Sequence, residues 1–309
     1  MEQADRAALR NLVLGVLLGI VLSRFSIGSV FMTVPVLLAC PSVRKASARL
    51  LAFAAMALGT VIWTLIQNRA ILGTEYWPVI LVGLYIPLAL VAGSAVWTIG
   101  AAYSRSSMRK FFWACIPVFA MGMVLSLYFA SESSSVVRGA LADSILYYFP
   151  ADSLSVDIAS MVKTVIDAMT LLFAPAGLIM LAIPVVISDI SLNRYDEDWQ
   201  YDFANMKLPD FYVWILFAAW GLALLANLVS AIPLWAAALV WNLAASLSVL
   251  YMVVGVSILV AFARRRTAVM TAGRIVLTVA LLMLIPFVNM VVFFGLVLLG
   301  VIETWARFR

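Results

Sequence analysis

Long apolar stretches follow one another along this chain, and short polar stretches separate them. A helix that crosses a bilayer needs about 20 mainly apolar residues. By that rule the apolar segments are Leu12–Ser23, Phe25–Cys40, Leu50–Gln67, Trp77–Ala101, Phe111–Ala130, Thr164–Ile187, Phe211–Val229, Leu234–Ala263 and Ile275–Ile302. The first two flank Arg24 and form either two thin spans or one span and a re-entrant piece. The pattern predicts an all-α, polytopic transmembrane bundle of eight or nine membrane segments in a single domain, residues 1–309.

Two longer polar stretches interrupt the apolar pattern. The first, residues 131–163, is predicted to be an outer loop that carries an amphipathic helix over Val136–Tyr148. Its apolar side chains recur at helical spacing, at Val137, Leu141, Ile145 and Tyr148. The second, residues 188–209, is rich in carboxylates, but the fixed ligand spacing of a calcium loop is absent. We interpret it as an acidic, solvated cytoplasmic connector, with a divalent-cation site as the alternative.

The composition supports a bilayer as the solvent and excludes several kinds of catalytic and metal site. Apolar residues make up 65% of the 309 residues and charged residues 11%, against about 45–50% and about 25% in soluble domains. The chain has no histidine, which excludes Ser-His-Asp triads and histidine-based zinc sites. Its two cysteines, Cys40 and Cys115, lie in apolar runs and are too few for a cysteine-rich metal site. We therefore predict no metal, no cofactor and no enzymatic activity.

The short loops indicate an orientation, because Lys and Arg accumulate on the cytoplasmic side of membrane proteins. Basic residues precede the first segment or occupy alternate loops, namely Arg6, Arg10, Arg44, Lys45, Arg49, Arg105, Arg109, Lys110, Arg264, Arg265, Arg266 and Arg274. This pattern predicts a multi-pass protein of the bacterial inner membrane with a cytoplasmic N-terminus. Arg307 and Arg309 would face outward if Ile275–Ile302 spans once, whereas a hairpin at Pro286 and Asn289 would return the chain end to the cytoplasm. No basic run is long enough to follow a nucleic-acid backbone.

Polar residues at membrane depth are few. Asp167 follows Lys163 by one helical turn, which predicts a local ion pair. Asn227 and Asn242 lie on two helices joined by a tight turn, so they either converge with Trp241 in an outward-facing ligand pocket or form hydrogen bonds between packed helices. Trp63 and Trp77 flank an outer loop. They are candidate pocket walls, although such aromatic residues also form interfacial belts.

The first segment contains a Gly15-Val-Leu-Leu-Gly19 motif, which lets two membrane helices approach backbone to backbone. Either internal packing or docking of a second protein would use such a face. Elsewhere the sequence has no Walker A, Rossmann or kinase motif. Active movement of a solute would therefore take its energy from a partner protein.

Four groups of residues carry a resemblance to a known family. They are the early segment with Pro35 and Pro41, the Leu208-Pro209 entry with Phe211 and Trp214, the stretch from Tyr251 to Gly255, and the ending from Gly300 through Glu303 to Arg309. With these residues the chain resembles the YybS-like family of bacterial membrane proteins, a domain family of unknown function. The resemblance covers most of the chain. The family's usual ending has an aspartate where this chain has Glu303.

That family is similar in topology to the S-components of energy-coupling-factor transporters, which bind vitamins and are driven by a membrane coupling subunit with ATPases. The resemblance implies that Gly15 and Gly19 dock the coupling subunit. It also implies a ligand site near Asn227, Trp241, Asn242, Trp63 and Trp77. The preferred hypothesis is a substrate-binding subunit of a vitamin-like uptake transporter, and the alternative is a non-transporting membrane scaffold or envelope-associated interaction protein.

Overall fold

The computed structural model describes residues 2–25, 28–74, 76–103, 107–131, 134–146, 156–193, 196–229, 232–266, 272–283, 285 and 287–306. Within these ranges the regular elements are all helical, which confirms the predicted all-α class. The α-helices are α1 (Glu2–Leu22), α2 (Gly28–Phe31), α3 (Val34–Ala39), α4 (Ala46–Gln67), α5 (Val79–Tyr103), α6 (Ser107–Ala130), α7 (Ser135–Leu146), α8 (Val156–Thr170), α9 (Phe173–Leu192), α10 (Glu197–Ala204), α11 (Tyr212–Leu228), α12 (Leu234–Arg266), α13 (Ala272–Met283) and α14 (Val288–Ala306). A short 3-10 helix, Cys40–Ser42, follows α3.

Six helices of the described chain are long and apolar enough to cross a membrane, namely α4, α5, α6, α9, α12 and α14. Three shorter apolar helical segments accompany them, Gly28–Ser42, Tyr212–Leu228 and Ala272–Met283. The protein is therefore a helical protein with several membrane-spanning elements. Because lipid offers no hydrogen-bond partners, helices of this kind satisfy their own backbone groups within the bilayer.

Helix α12 lies at the centre of the bundle. In its most apolar window 78% of the residues are buried inside the protein, against 22–50% in the other five long helices. Its closest neighbour is α14, which runs antiparallel to it. A Cβ atom added to Gly255 would meet the carbonyl oxygen of Leu296, and one added to Gly300 would meet that of Tyr251. The two helices thus pack backbone against backbone through glycines, which is a common contact in membranes.

Helix α1 and the residues after it form a hairpin. The segment Gly28–Ser42 runs antiparallel to α1, because Gly19 lies against Met32 and Gly15 against Pro35. A Cβ atom on Gly15 would lie 3.0 Å from the Pro35 carbonyl oxygen, and one on Gly19 would lie 2.5 Å from the Met32 carbonyl oxygen. The chain therefore returns alongside α1 after the turn at Arg24.

Two predicted segments are each divided into two helices near a proline. Thr164–Ile187 is interrupted at Leu171–Leu172, between α8 and α9. Pro175 has no N–H to donate to the carbonyl four residues earlier, so the helix does not continue through this point. Ile275–Ile302 is divided between α13 and α14 just after Met283. Phe287, just before α14, adopts a positive φ of 66°.

The end of α14 contacts residues near the start of α11. The ammonium group of Lys207 lies 3.7 Å from the carboxylate of Glu303, and the ring of Trp305 stacks on that of Phe217 at 6.2 Å. Both neighbours belong to the beginning of α11 or the connection before it. The end of α14 therefore lies beside the entry to α11 and the first turns of that helix.

One end of the bundle collects basic loops, and we call it the basic end. The Lys110 ammonium lies 5.1 Å from the Trp97 ring, and a Cβ atom on Gly100 would contact the same lysine. Lys110 also interacts electrostatically with Asp189, near the end of α9. Gly273, next to Arg274, packs on Ile190. The end of α5 and the starts of α6, α10 and α13 thus lie together, at the end that the charge pattern assigns to the cytoplasm.

Both predicted loop regions contain a helix among their described residues. Helix α7 lies within the predicted outer loop, and its Val137 is buried. The side chains of Ile145 and Tyr148 lie outside the described residues. Asp167 pairs with Arg138 of α7 at 3.4 Å, and not with Lys163 as predicted, because α7 packs across α8. The acidic segment contains α10, which is capped by the Asp196 side chain and docked through buried Trp199 and Phe203. One side of α10 thus packs on the protein, while Glu197 and Asp198 are exposed.

The backbone contact between α12 and α14 predicts a sharp difference between two glycines of the same helix. Gly300→Ala should lower the free energy of unfolding by about 1–3 kcal/mol, because the added methyl group meets the Tyr251 carbonyl. Gly295→Ala is the matched control, because a Cβ atom there has nothing within 4 Å, and it should be neutral or stabilise by up to about 1 kcal/mol. Denaturant unfolding in detergent, followed by tryptophan fluorescence, measures both. Equal losses at the two positions would contradict this packing.

Candidate functional site

Asn242 is fully buried, and all of its amide groups are used inside the protein. Its Oδ1 accepts a hydrogen bond from the Ala174 N–H at 2.9 Å. Its Nδ2 donates to Ser126 Oγ at 2.9 Å and to the Ala238 carbonyl at 2.8 Å. The side chain therefore ties α12 to α6 and α9, which is the interhelical alternative of the sequence analysis. The space around it is filled by helices.

The structure does not bring the other predicted members of the outward pocket to Asn242. Asn227 is exposed near the end of α11. Trp241 packs edge to face on Trp220 at 5.5 Å, and the Trp220 Nε1 donates to Ser248 Oγ at 3.0 Å. Neighbouring residues of α12 thus point to different helices, because successive side chains are about 100° apart around a helix.

Trp63 and Trp77 are each about half exposed, with 48% of the residue accessible. Trp63 lies beside the guanidinium group of Arg24, whose Cζ is 5.4 Å from the ring centroid. Trp77 belongs to the turn before α5. These positions suit the interfacial-belt interpretation, in which an aromatic ring is partly exposed near the end of a helix.

Gly15 and Gly19 were candidates for a partner interface, and the structure uses them internally. Both are buried, and their Cα positions face the backbone of the chain's own segment Gly28–Ser42. Met56 of α4 also lies within 2.6 Å of the position where a Gly19 Cβ would be. The close-packing face is occupied, so it offers no free surface to the backbone of a second protein.

A polar cavity lies where α14 meets α12 and the entry to α11. Its volume is about 270 Å³, and its lining residues are Lys207, Leu208, Asp210, Tyr251, Val254, Gly300, Glu303 and Thr304. Gly300 allows the close approach of α14, and this brings Glu303 and Thr304 next to Tyr251. The connection before α11 is held against α12 by a hydrogen bond of 3.3 Å from Ser257 Oγ to the Met206 carbonyl.

The charges in this cavity are unevenly exposed. The Glu303 side chain is only 5% accessible, whereas that of its partner Lys207 is 51% accessible. Their separation of 3.7 Å is at the long end for an ion pair. The hydroxyl of Tyr251 is buried beside Thr304. The cavity thus combines a buried carboxylate, an exposed lysine and a buried tyrosine hydroxyl.

A second polar cluster at the basic end has a structural role. Asp189 is buried near the end of α9, and its carboxylate accepts from Trp199 Nε1 at 2.7 Å and from Asn193 Nδ2 at 3.0 Å. These bonds fasten α10 to α9. The Asp189 carboxylate is thus satisfied by groups of the protein itself, and a cavity of about 360 Å³ lies beside Trp199, between the end of α9 and the start of α13. No group of three or more potential metal ligands occurs among the described residues.

The Glu303 cavity is not among the sites predicted from the sequence. Lys207 and Glu303 are almost a hundred positions apart, and Lys207 lies in a stretch interpreted as a connector. A signal was present, however. Three of the four segments that carry the family resemblance, Leu208-Pro209, Tyr251–Gly255 and Gly300–Glu303, meet at this cavity.

In comparisons with known proteins, no family model, no curated protein and no solved structure matches the chain. The chemistry of the site therefore rests on its own geometry.

Because Asn242 forms buried hydrogen bonds and Asn227 is exposed, we expect substitution of Asn242, but not of Asn227, to destabilise the protein. Asn242→Ala should lower the free energy of unfolding by about 1–3 kcal/mol, because the Ala174 N–H and Ser126 hydroxyl lose a buried partner. Asn227→Ala, on the exposed side of α11, should change it by less than about 0.5 kcal/mol. Unfolding in detergent compares the two. A neutral Asn242→Ala variant would show that the bonds contribute little.

Proposed function

We propose that the protein is a membrane-embedded binding subunit for a small polar solute, part of an uptake transporter that a partner protein with ATPases energises. The observation that supports this most is the cavity around Glu303. Ionisable residues within membrane helices are energetically costly and usually mark a binding or transport site. Glu303 is the buried carboxylate of α14, one of the long apolar helices. We place the ligand there, and no longer among Asn227, Asn242 and the tryptophans.

For the membrane arrangement we propose eight or nine segments in the bacterial inner membrane. The six long helices account for most of them, and α1, Gly28–Ser42 and α11 would be thin spans. Helix α11 has 17 residues and is about 26 Å long, which a locally thinned bilayer accommodates. The basic end, with Lys110 and Arg274, would face the cytoplasm, together with the N-terminus.

We further propose that the protein binds its solute without transforming it. The absence of histidine removes the usual general base near neutral pH. A carboxylate, a lysine and a tyrosine hydroxyl are suited to holding the polar groups of a small molecule by charge-assisted hydrogen bonds.

A thermal-shift screen of the purified protein tests this function. The panel would contain vitamins, amino acids, amines and lipids. We expect at least one small solute to raise the melting temperature of the wild-type protein, because a ligand that binds only the folded state stabilises it. Glu303→Gln keeps the side-chain volume but removes the charge, so it should abolish that shift.

The matched control is Glu197→Gln, which removes an exposed carboxylate of α10. It should leave the ligand shift unchanged. A shift that persists in Glu303→Gln would place the ligand elsewhere. If no solute stabilises the protein while a stable protein partner co-purifies, the transport function is wrong and the scaffold is the better interpretation.

The acidic surface of α10 supports the alternative function, a membrane scaffold. Helix α10 is docked by buried Trp199 and Phe203, while Glu197 and Asp198 are exposed on its outer side. A rigid acidic surface of this kind suits a basic protein segment. The closed packing around Asn242 is also what a structural membrane protein would have.

A further inference from the structure

Arg24 is the charged residue at the turn between α1 and Gly28–Ser42, and all its partners are neutral. Its Nη1 donates to Gln67 Oε1 at 2.8 Å. Its Nη2 donates to the Thr60 carbonyl at 3.3 Å and lies 3.4 Å from Thr64 Oγ1. The Trp63 ring packs on the guanidinium group. These contacts fix the position of the cation at the end of α4, but within the described chain no carboxylate pairs with it.

One donor of this guanidinium group is left over. The Arg24 Nε is buried and has no hydrogen-bond partner in the part of the chain that the structure describes. A partly buried cation without a counterion, with an unused N–H, is an unfavourable arrangement in an apolar surrounding. A guanidinium group without a counterion is stabilised by an anion beside it, which accepts charge-assisted hydrogen bonds.

A cavity of about 290 Å³ adjoins Arg24 on the side of α5. The end next to Arg24 is polar, with Ser23 and Ser29. The rest of the lining is mainly apolar, namely Phe25, Val30, Val82, Gly83, Ile86, Pro87 and Met180. Gly83 contributes to the open space, because a Cβ atom there would have nothing within 4 Å.

The combination points to an amphiphilic ligand. A free inorganic anion would use the guanidinium end and leave the apolar walls without a partner. A phospholipid has a phosphate for the guanidinium group and acyl chains for the walls, and it is the main component of the solvent around these helices. Arginine also binds phosphate through several planar donors at once.

We propose that Arg24 and the cavity beside it form a phospholipid-binding site, with the phosphate at the Arg24 guanidinium group and an acyl chain along Val82, Ile86 and Met180. This site is separate from the Glu303 cavity, and it does not depend on the transport function.

Native mass spectrometry of the delipidated full-length protein in nonionic detergent tests this proposal. The probes are dioleoyl phosphatidylglycerol, dioleoylglycerol with the same acyl chains but no phosphate, and inorganic phosphate. We expect the wild-type protein to bind one phosphatidylglycerol more tightly than dioleoylglycerol, by about tenfold or more. Inorganic phosphate alone should not compete at millimolar concentration.

Two variants locate the binding. Arg24→Gln should remove the preference for phosphatidylglycerol over dioleoylglycerol. Gly83→Leu fills the cavity without touching Arg24, and should weaken phosphatidylglycerol binding by about tenfold or more, so it tests the site even if Arg24→Gln does not fold. Arg69→Gln is the control, because Arg69 is an exposed arginine just after α4. It should bind like the wild type.

Three results would overturn the proposal. The first is an undiminished preference for phosphatidylglycerol in Arg24→Gln, and the second is wild-type binding in Gly83→Leu. The third is full competition by inorganic phosphate, which would make the ligand a free anion and not a lipid.

Discussion

Helix α12 makes two different kinds of contact on opposite faces, and the rest of the bundle is arranged around them. Asn242 and Tyr251 are nine residues apart, which corresponds to a rotation of about 180° around the helix. On the Asn242 face, hydrogen bonds hold α6 and α9. On the Tyr251 face, glycine contacts hold α14. In a bilayer, where apolar surface between helices provides little driving force, close backbone packing and hydrogen bonds are the contacts that hold helices together.

The same two contacts explain where ionisable residues are tolerated. The glycine packing of α14 creates the confined space in which Glu303 is buried beside Lys207. Elsewhere in the molecule, Arg24 is held by neutral groups of α4. Both charges lie next to a cavity, and they differ in whether an opposite charge accompanies them. Glu303 is paired with Lys207, whereas Arg24 has no carboxylate partner within the described chain. Of the two groups, only the Arg24 guanidinium would therefore gain from an external counterion.

Helical segments could be predicted well from the sequence, and their boundaries less well. The apolar stretches between Leu50 and Ala130 correspond to α4, α5 and α6, and Leu234–Ala263 lies within α12. Thr164–Ile187 was predicted as one helix, although Pro175 divides it. For Ile275–Ile302 both a single span and a hairpin were compatible with the pattern. A hydropathy pattern measures burial in lipid, and it responds weakly to the loss of a single backbone hydrogen bond.

The amino-acid sequence by itself determined the solvent, the helical class and the end of the bundle where basic residues collect, because these depend on the total of many similar residues. Tertiary structure decided which polar and small residues meet. Gly15 and Gly19 have the motif of a docking face, yet the chain's own Gly28–Ser42 covers them. Glu303 acquires Lys207 as its partner only because α14 folds back along α12. Spacing along one helix gives the face of each residue, whereas the identity of the helix opposite depends on long-range packing.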